Sequence, residues 1–377
     1  MTGLIVHEWL SKSGGSENVV AAMREAIPDT DLFCLWNDDA ERFDGNVKES
    51  WLARTPLRGR KALALPFMPA VWRNLSNDND YDWILASSHL FAHQARFRSA
   101  PDVPKFVYVH TPARYVWSPE LDERGAHPLA RIAAPALRAI DRRFAQDESK
   151  IAANSEYVRQ RIEKTWRRES AVIYPPIDVA RIQAEKDWTT QLTTGEQILV
   201  DSLPQTFVLG ASRFVPYKKL EAVISVGEAN DLPVVLAGRG PEEARLRELA
   251  ATSKVPVVFV NRPSDALLYV LYALALVYVF PAIEDFGIMP VEAMAAGARV
   301  IVNSVGGAKE SVLHGQHGFH AERFEGEEAR EAVRGAADCA RNSSISRARY
   351  FSQDVFGARV TGWLSGQGIR PISRSGI

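Results

Sequence analysis

At 377 residues the chain is long enough for two domains of ordinary size. With 46% hydrophobic and 24% charged residues it has the make-up of a folded globular protein, which excludes a disordered or collagen-like chain. Lys and Arg total 45 against 46 Asp and Glu, a net charge of −1 that offers nucleic acid no global field, and two cysteines, Cys34 and Cys339, cannot build a disulfide scaffold. His7 and Glu8 stand where a secretory signal needs its apolar run, so a reducing cytoplasm is the expected compartment.

Short apolar runs alternate with longer amphipathic ones, the pattern of an α/β protein. Strands are predicted at 4–7, 31–35, 83–87, 105–109 and 150–153, with helices at 17–27 and 128–144 among the segments between them. A polar stretch of little periodicity over 174–205 reads as an interdomain linker. A second series follows, with strands at 206–210, 234–237, 257–260, 277–280 and 299–303 and a helix at 242–251. The uncharged run 266–283 approaches the length of a membrane span. Pro281, three spread tyrosines and the following Glu284 and Asp285 favour a buried helix entering a buried strand. The expectation is two doubly wound parallel-sheet domains facing across a cleft, and a poorly ordered tail after Gly366.

Chemistry concentrates where strands end. Gly14 and Gly15 follow the first strand and open a helix, where glycine serves either a tight turn or close approach of backbone amides to an anion. The spacing is not GxGxxG, so the dinucleotide-oxidoreductase fingerprint is missing. Arg213 and Lys218 lie in the loop after the first strand of the second series. A basic loop alone is usually just solvated, but two cations there also suit a diphosphate that gains charge as it leaves. The strongest signal is Glu284-Asp-Phe-Gly-Ile-Met-Pro-Val-Glu292, running from a buried strand into a helix. Two carboxylates eight residues apart reach one ligand if Glu292 sits in the first helical turn, with the amides of Phe286, Gly287, Ile288 and Met289 turned toward the same place. Glu292 alone also reads as an ordinary dipole-complementing glutamate. His110 ends a strand, where a neutral imidazole can bond a sugar hydroxyl, although a lone histidine there is more often structural.

Other constellations are weaker. His89 with His93 lacks the HExxH glutamate, and His314, His317 and His320 fall in a glycine-interrupted stretch, so no metal site is expected. Asp78, Asp80 and Asp82 imitate DxD but lead straight into a strand. No GxSxG and no GxxxxGK[ST] is present, which weighs against hydrolases and ATPases.

Together these segments resemble the retaining GT-B glycosyltransferases of family 4 over nearly the whole chain. The resemblance rests on Glu284 with Glu292, Arg213 with Lys218, Gly14 with Gly15, His110, AGRGPE at 237–242, NSEYV at 154–158, YPPID at 174–178 and VGGAKES at 305–311. The wording EDFGIMPVEA and SRFVPYKK resembles bacterial mannosyltransferases of surface-polysaccharide assembly that use GDP-mannose. The resemblance implies two Rossmann-like domains, an acceptor-binding one over 1–190 and a nucleotide-sugar-binding one over 191–355, with a last helix within 356–377 crossing back to the first. It implies retention, no cofactor and no essential metal. Arg213 and Lys218 would neutralise the leaving diphosphate, and Glu284 with the 286–289 amides would hold the sugar. Glu292 would bind the ribose, His110 would contact the sugar near the reacting centre, and Gly14, Gly15, Gly238 and Arg262 would line the donor. Whether Asn261 and Arg262 choose guanine or uracil stays open.

From Trp51 to Asn77 the chain carries Arg54, Arg58, Arg60, Lys61 and Arg73 and no acidic residue. Aromatic and basic residues interleaved in this way suit a lipid-linked saccharide acceptor or peripheral contact with the anionic inner face of the plasma membrane, and equally suit a solvated surface. A second basic stretch spans 131–168 and includes Arg138, Arg142 and Arg143. The alternatives are a UDP-sugar-dependent transferase of the same fold, a nucleotide-sugar epimerase, which would turn over without an acceptor, and a non-catalytic binder, which would hold donor without turnover.

Overall fold

The computed structural model describes residues 1–12, 14–43, 45, 47–117 and 128–369. The chain divides into two compact units, the first made of Met1–Pro176 with Gln353–Ile377 and the second of Ile177–Ser352. Residues 370–377, most of the tail expected to be poorly ordered, lie outside the described residues.

The first unit holds seven strands: β1 Gly3–His7, β2 Thr30–Cys34, β3 Val47–Glu49, β4 Trp83–Ser88, β5 Lys105–Val109, β6 Lys150–Ala153 and β7 Ala171–Val172. They pair in the order β3-β2-β1-β4-β5-β6-β7, parallel throughout. The central strands β1 and β4 are buried along their whole length, as parallel strands covered on both faces must be. Alternation sends Leu4, Val6, Ile84, Ala86, Val107 and Val109 into one core, and Ile5, Leu32, Leu85, Phe106 and Tyr108 into the other. The helix Gln353–Ser365 places Phe356, Val360 and Leu364, spaced four apart, in that second core beside Val19, Val20 and Met23 of the helix Gly15–Ala26. The end of the chain thus completes the N-terminal unit.

The second unit holds β8 Val208–Ala211, β9 Val234–Gly238, β10 Val257–Asn261, β11 Val277–Phe280, β12 Val300–Asn303 and β13 Gly318–Ala321. Their order is β10-β9-β8-β11-β12-β13, again parallel. The run 266–283 resolves into the helix Asp265–Leu274, capped by Ser264, and the buried strand β11. No helix among the described residues is long and apolar enough to cross a membrane.

Three strands escaped the sequence reading. β3, β7 and β13 are short edge strands (VKE, AV and GFHA) whose existence depends on a neighbour to pair with rather than on an apolar run. The polar stretch read as a linker is ordered. Asp178 caps the helix Val179–Ala184, and Thr193 with Glu196 forms a capping box on Thr194–Ser202. Trp188 packs on Tyr269 at 4.8 Å between ring centroids, which ties this stretch to the second unit. The division therefore falls at Pro176 and at Ser352, not at 190 and 355.

Candidate functional site

In an open parallel sheet, the crevice for a ligand lies beyond the strand carboxyl ends, where the strand order reverses. In the second unit that point is between β8 and β11. The loop after β8 carries Arg213 and Lys218, and the loop after β11 carries Glu284, so the topology alone brings residues about 70 apart in sequence into contact. Lys218 Nζ donates to Glu284 Oε1 in an ion pair. Lys218 is buried, with its ammonium 5.2 Å from the Phe280 ring centroid and 5.3 Å from that of Tyr217. Arg213 is exposed, and its Nη2 donates to the Tyr217 hydroxyl at 2.8 Å.

Two glycine loops support these residues from behind. A side chain at Gly238, at the end of β9 with φ +145°, would put its Cβ 1.9 Å from the Ser212 carbonyl oxygen, so only glycine lets β9 pass this close beneath the Arg213 loop. On the other side the Gly307 amide donates to the Glu284 carbonyl at 2.7 Å and holds the carboxylate's own backbone. The AGRGPE and VGGAKES segments thus act as scaffolds for the two loops. Arg262 follows β10 with φ +51°, its amide 3.5 Å from the Gly238 carbonyl, and its side chain is exposed at the sheet's carboxyl edge.

Gly287, at φ +89°, is the N-cap of the helix Ile288–Ala295, so Ile288 and Met289 are its first residues. Phe286 is buried with its ring 5.5 Å from Phe351. Glu292 is the fifth helical residue, one turn deeper than the sequence reading placed it. Burial pushes its carboxyl up to about 7, Asp265 adding to the effect and Arg181 opposing it. The buried Tyr278, whose hydroxyl donates to the Ala211 carbonyl at 3.0 Å, lies within electrostatic reach of both Glu284 and Glu292.

In the first unit the reversal lies between β1 and β4, and the polar residues at their ends and at the end of β5 form one cluster. His7 Nδ1 donates to the Ser87 carbonyl at 2.9 Å. Ser87 Oγ bonds His110 Nε2 at 2.8 Å. Burial, with His7 and His89 nearby, pushes the His110 imidazole down to about 3, so it is neutral at physiological pH. Glu8 is wholly buried and accepts from Ser88 Oγ and from the amides of His89, Leu90 and Ala92, while His89 Nδ1 approaches it at 3.1 Å. Burial opposes its ionisation, but His89, His7 and these donors outweigh it and hold the carboxyl well below its ordinary range.

Gly14 opens the helix Gly15–Ala26 in extended backbone, and the Glu17 carboxylate folds over it, so that a Cβ on Gly14 would lie 2.1 Å from Glu17 Oε2. Glu17 accepts from the Ser11 hydroxyl and amide and from Ser16 Oγ at 2.7 Å. The helix start after Gly14 and Gly15 is thus already supplied with a carboxylate from its own first turn.

The remaining predicted candidates scatter. Ser155 of NSEYV is a helix N-cap, and Asp82 accepts from the Thr2 amide. His320 N donates to His314 Nδ1 and His320 Nε2 meets the Val312 carbonyl, a local turn. Among the described residues only His7, Glu8 and His89 bring three potential metal-ligand atoms within 4.8 Å. Glu8 there is engaged by backbone donors and His7 by Ser87. Of the basic segment, Arg58 pairs with Asp38 and Glu49 and Lys61 sits over Trp9, whereas Arg54 and Arg60 are exposed beside exposed Trp51, Leu63 and Phe67. In the second basic stretch, Arg138 and Arg142 donate to the carbonyls of Val116 and Thr165. Sequence reasoning missed Glu8, Glu17 and Ser87. For Glu8 and Ser87 the available signal was a polar residue at the end of an otherwise apolar strand, whereas Glu17 lies in the first turn of a helix.

Two doubly wound parallel units of this kind are the GT-B class of fold. The chain belongs to the family 4 type of GT-B glycosyltransferases: residues 13–181 match Glycosyltransferase Family 4, and residues 197–351 match Glycosyl transferases group 1. It is 32% identical over 155 residues to an uncharacterized glycosyltransferase of Methanocaldococcus jannaschii, a stretch covering 39% of this chain and 40% of that one. It is 26% identical over 208 residues to the GDP-mannose-dependent alpha-(1-6)-phosphatidylinositol monomannoside mannosyltransferase of Mycobacterium tuberculosis, covering 51% and 54%. The matched stretches thus span about half the length of these curated relatives or less. The crystal structure of Anabaena HepE in complex with UDP superimposes with a TM-score of 0.73 at 19% identity, over 97% of this chain and 100% of that one.

Proposed function

We propose that the chain is a retaining glycosyltransferase that moves a hexose, mannose from GDP-mannose, onto a saccharide or lipid-linked saccharide acceptor without a metal ion. The observation that carries this reading is the buried Lys218–Glu284 pair beside exposed Arg213, at the order reversal of the six-stranded sheet. Lys218 and Arg213 supply fixed positive charge to a departing diphosphate, and a phosphate oxygen so held takes the acceptor's proton. Glu284 accepts from hydroxyls of the donor sugar, Glu292 from the ribose, and neutral His110 bonds the sugar near the reacting carbon. Likeness to a GDP-mannose-dependent relative supports the guanine nucleotide. Exposed Trp51, Leu63 and Phe67 beside Arg54 and Arg60 support a lipid-linked acceptor.

A thermal-shift series with GDP, UDP, ADP, dTDP and their sugar conjugates, all in EDTA, tests the donor, since a ligand bound only to the native state raises Tm. Stabilisation by GDP and GDP-mannose is expected. Preference for UDP moves the donor to a UDP-sugar, and silence toward every nucleotide overturns the reading.

The environment of Glu292 adds a pH signature. Ribose hydroxyls donate best to the ionised carboxylate, and Glu292 ionises near 7 in the free protein. GDP-mannose should therefore bind more tightly as pH rises from 6 to 8, and Glu292→Gln should flatten the curve. Calorimetric titration of both proteins checks this, and the same pH dependence in both would remove Glu292 from the donor site. Asp265, Arg181, Tyr269, Tyr272 and Tyr278, the other charged or titratable groups around it, are unchanged in that comparison.

A further inference from the structure

At the edge of the seven-stranded sheet opposite His110, a cavity of about 650 Å³ opens beside the first residues of β4, β5 and β6. This volume lies within the range of small-molecule sites, roughly 300–1,000 Å³. Its lining carries five Lys and Arg against three Asp and Glu. Of those acids, Asp147 is already engaged by Lys105 Nζ, which also donates to the His93 carbonyl at 2.8 Å.

Three arginines and Lys150 remain. The Arg73 guanidinium lies over the Phe144 ring at 4.1 Å, which fixes its plane. Burial and the charges of Arg96 and Arg143 lower its pKa, with Asp147 opposing them, so both of those guanidinium groups act on Arg73. Like charges converge at a cost unless an anion joins them, and the planar guanidinium fork matches phosphate oxygens.

The second observation is Gln94, which lines the same cavity and is 2% exposed. Neither its Nε2 nor its Oε1 has a hydrogen-bond partner among the described residues. A buried amide left unpaired costs about 1–3 kcal/mol, and buried polar side chains are almost always satisfied. It offers a donor and an acceptor side by side, which a hydroxyl group, itself both donor and acceptor, answers.

We infer that this cavity binds a small phosphate monoester carrying hydroxyl groups, that is, a sugar phosphate, with Arg73, Arg96 and Arg143 on the phosphate and the Gln94 amide on a hydroxyl. The site is separate from the nucleotide-sugar reading and does not rest on it, because its lining residues, all in the first unit, include none of those assigned to the donor.

The test is calorimetric titration of the full chain with glucose 6-phosphate and with inorganic phosphate, and flotation with phosphatidylglycerol vesicles. Glucose 6-phosphate should bind more tightly than inorganic phosphate. The double substitution Arg96→Ala with Arg143→Ala, both exposed and so compatible with folding, should weaken both ligands at least tenfold, with the circular-dichroism melt unchanged. Gln94→Ala should reduce glucose 6-phosphate to the affinity of inorganic phosphate. Absence of binding by glucose 6-phosphate, binding undiminished in the double variant, or capture of vesicles without binding of the soluble ester would each overturn the inference.

Discussion

Lys218→Ala should lower turnover by about 10²–10³-fold or more, the usual consequence of removing a preorganised electrostatic partner from a developing charge. The reason is specific to the position of this ammonium. It is buried at the carboxyl end of the six-stranded sheet, held by Glu284 and flanked by the rings of Phe280 and Tyr217, where charge is poorly screened by water. A departing diphosphate gains charge as its bond to the sugar lengthens, so the loss should fall mainly on kcat, with a smaller change in KM for the donor. Arg213→Ala should act in the same direction and less strongly, because that guanidinium is exposed. The measurement is release of nucleoside diphosphate from the donor with and without acceptor, by each purified variant. Near-normal rates in both would end the assignment of this loop as the phosphate clamp, and wild-type release that needs no acceptor would favour the epimerase or a hydrolytic side reaction.

Glu8→Ala should give the largest loss of stability in the first unit. Its carboxylate is wholly buried and gathers Ser88 Oγ and the amides of His89, Leu90 and Ala92. Removing it strands several buried donors, each costing about 1–3 kcal/mol, so a loss of at least about 3 kcal/mol is expected. For a unit of this size that lowers Tm by roughly 6–12 °C. The pH dependence follows from the direction of the shift. The folded carboxyl ionises below the unfolded value near 4.5, so its contribution is complete above that value and fades as pH falls through the folded pKa. Wild type should thus lose stability more steeply than Glu8→Gln as pH drops below 4.5, as followed by calorimetric melts at several pH values. Parallel curves would mean that Glu8 is not ionised in the folded state.

Much of the fold is legible in the chain as written. Parallel strands covered on both faces need continuous apolar runs, so 105–109, 150–153 and 277–280 can be read off residue by residue, and each ends at the observed boundary. The same logic, applied also to the strand predicted at 206–210, finds the loops that follow these strands, and with them Arg213, Lys218, Glu284 and His110 as candidates. It fails where structure depends on a partner rather than on local pattern: the edge strands β3, β7 and β13, and the segment 177–202, whose polar caps and turns look like a linker until Trp188 packs on Tyr269.

What only tertiary structure decides is which of these polar residues meet. The pairing of Lys218 with Glu284 is a property of strand order, since β8 and β11 are neighbours although two strands separate them in sequence. Burial makes Glu292 titrate near 7 and keeps His110 neutral, and burial is set by what packs from elsewhere in the chain. Glu8 reads in sequence as a stray charge after a strand. In the fold it organises the loop after β4, because parallel pairing of β1 with β4 carries the Ser88 hydroxyl and three amides to its carboxylate. Apolar periodicity is written locally and can be read locally, whereas hydrogen bonds and electrostatics at strand ends depend on distances that exist only after the sheet has assembled.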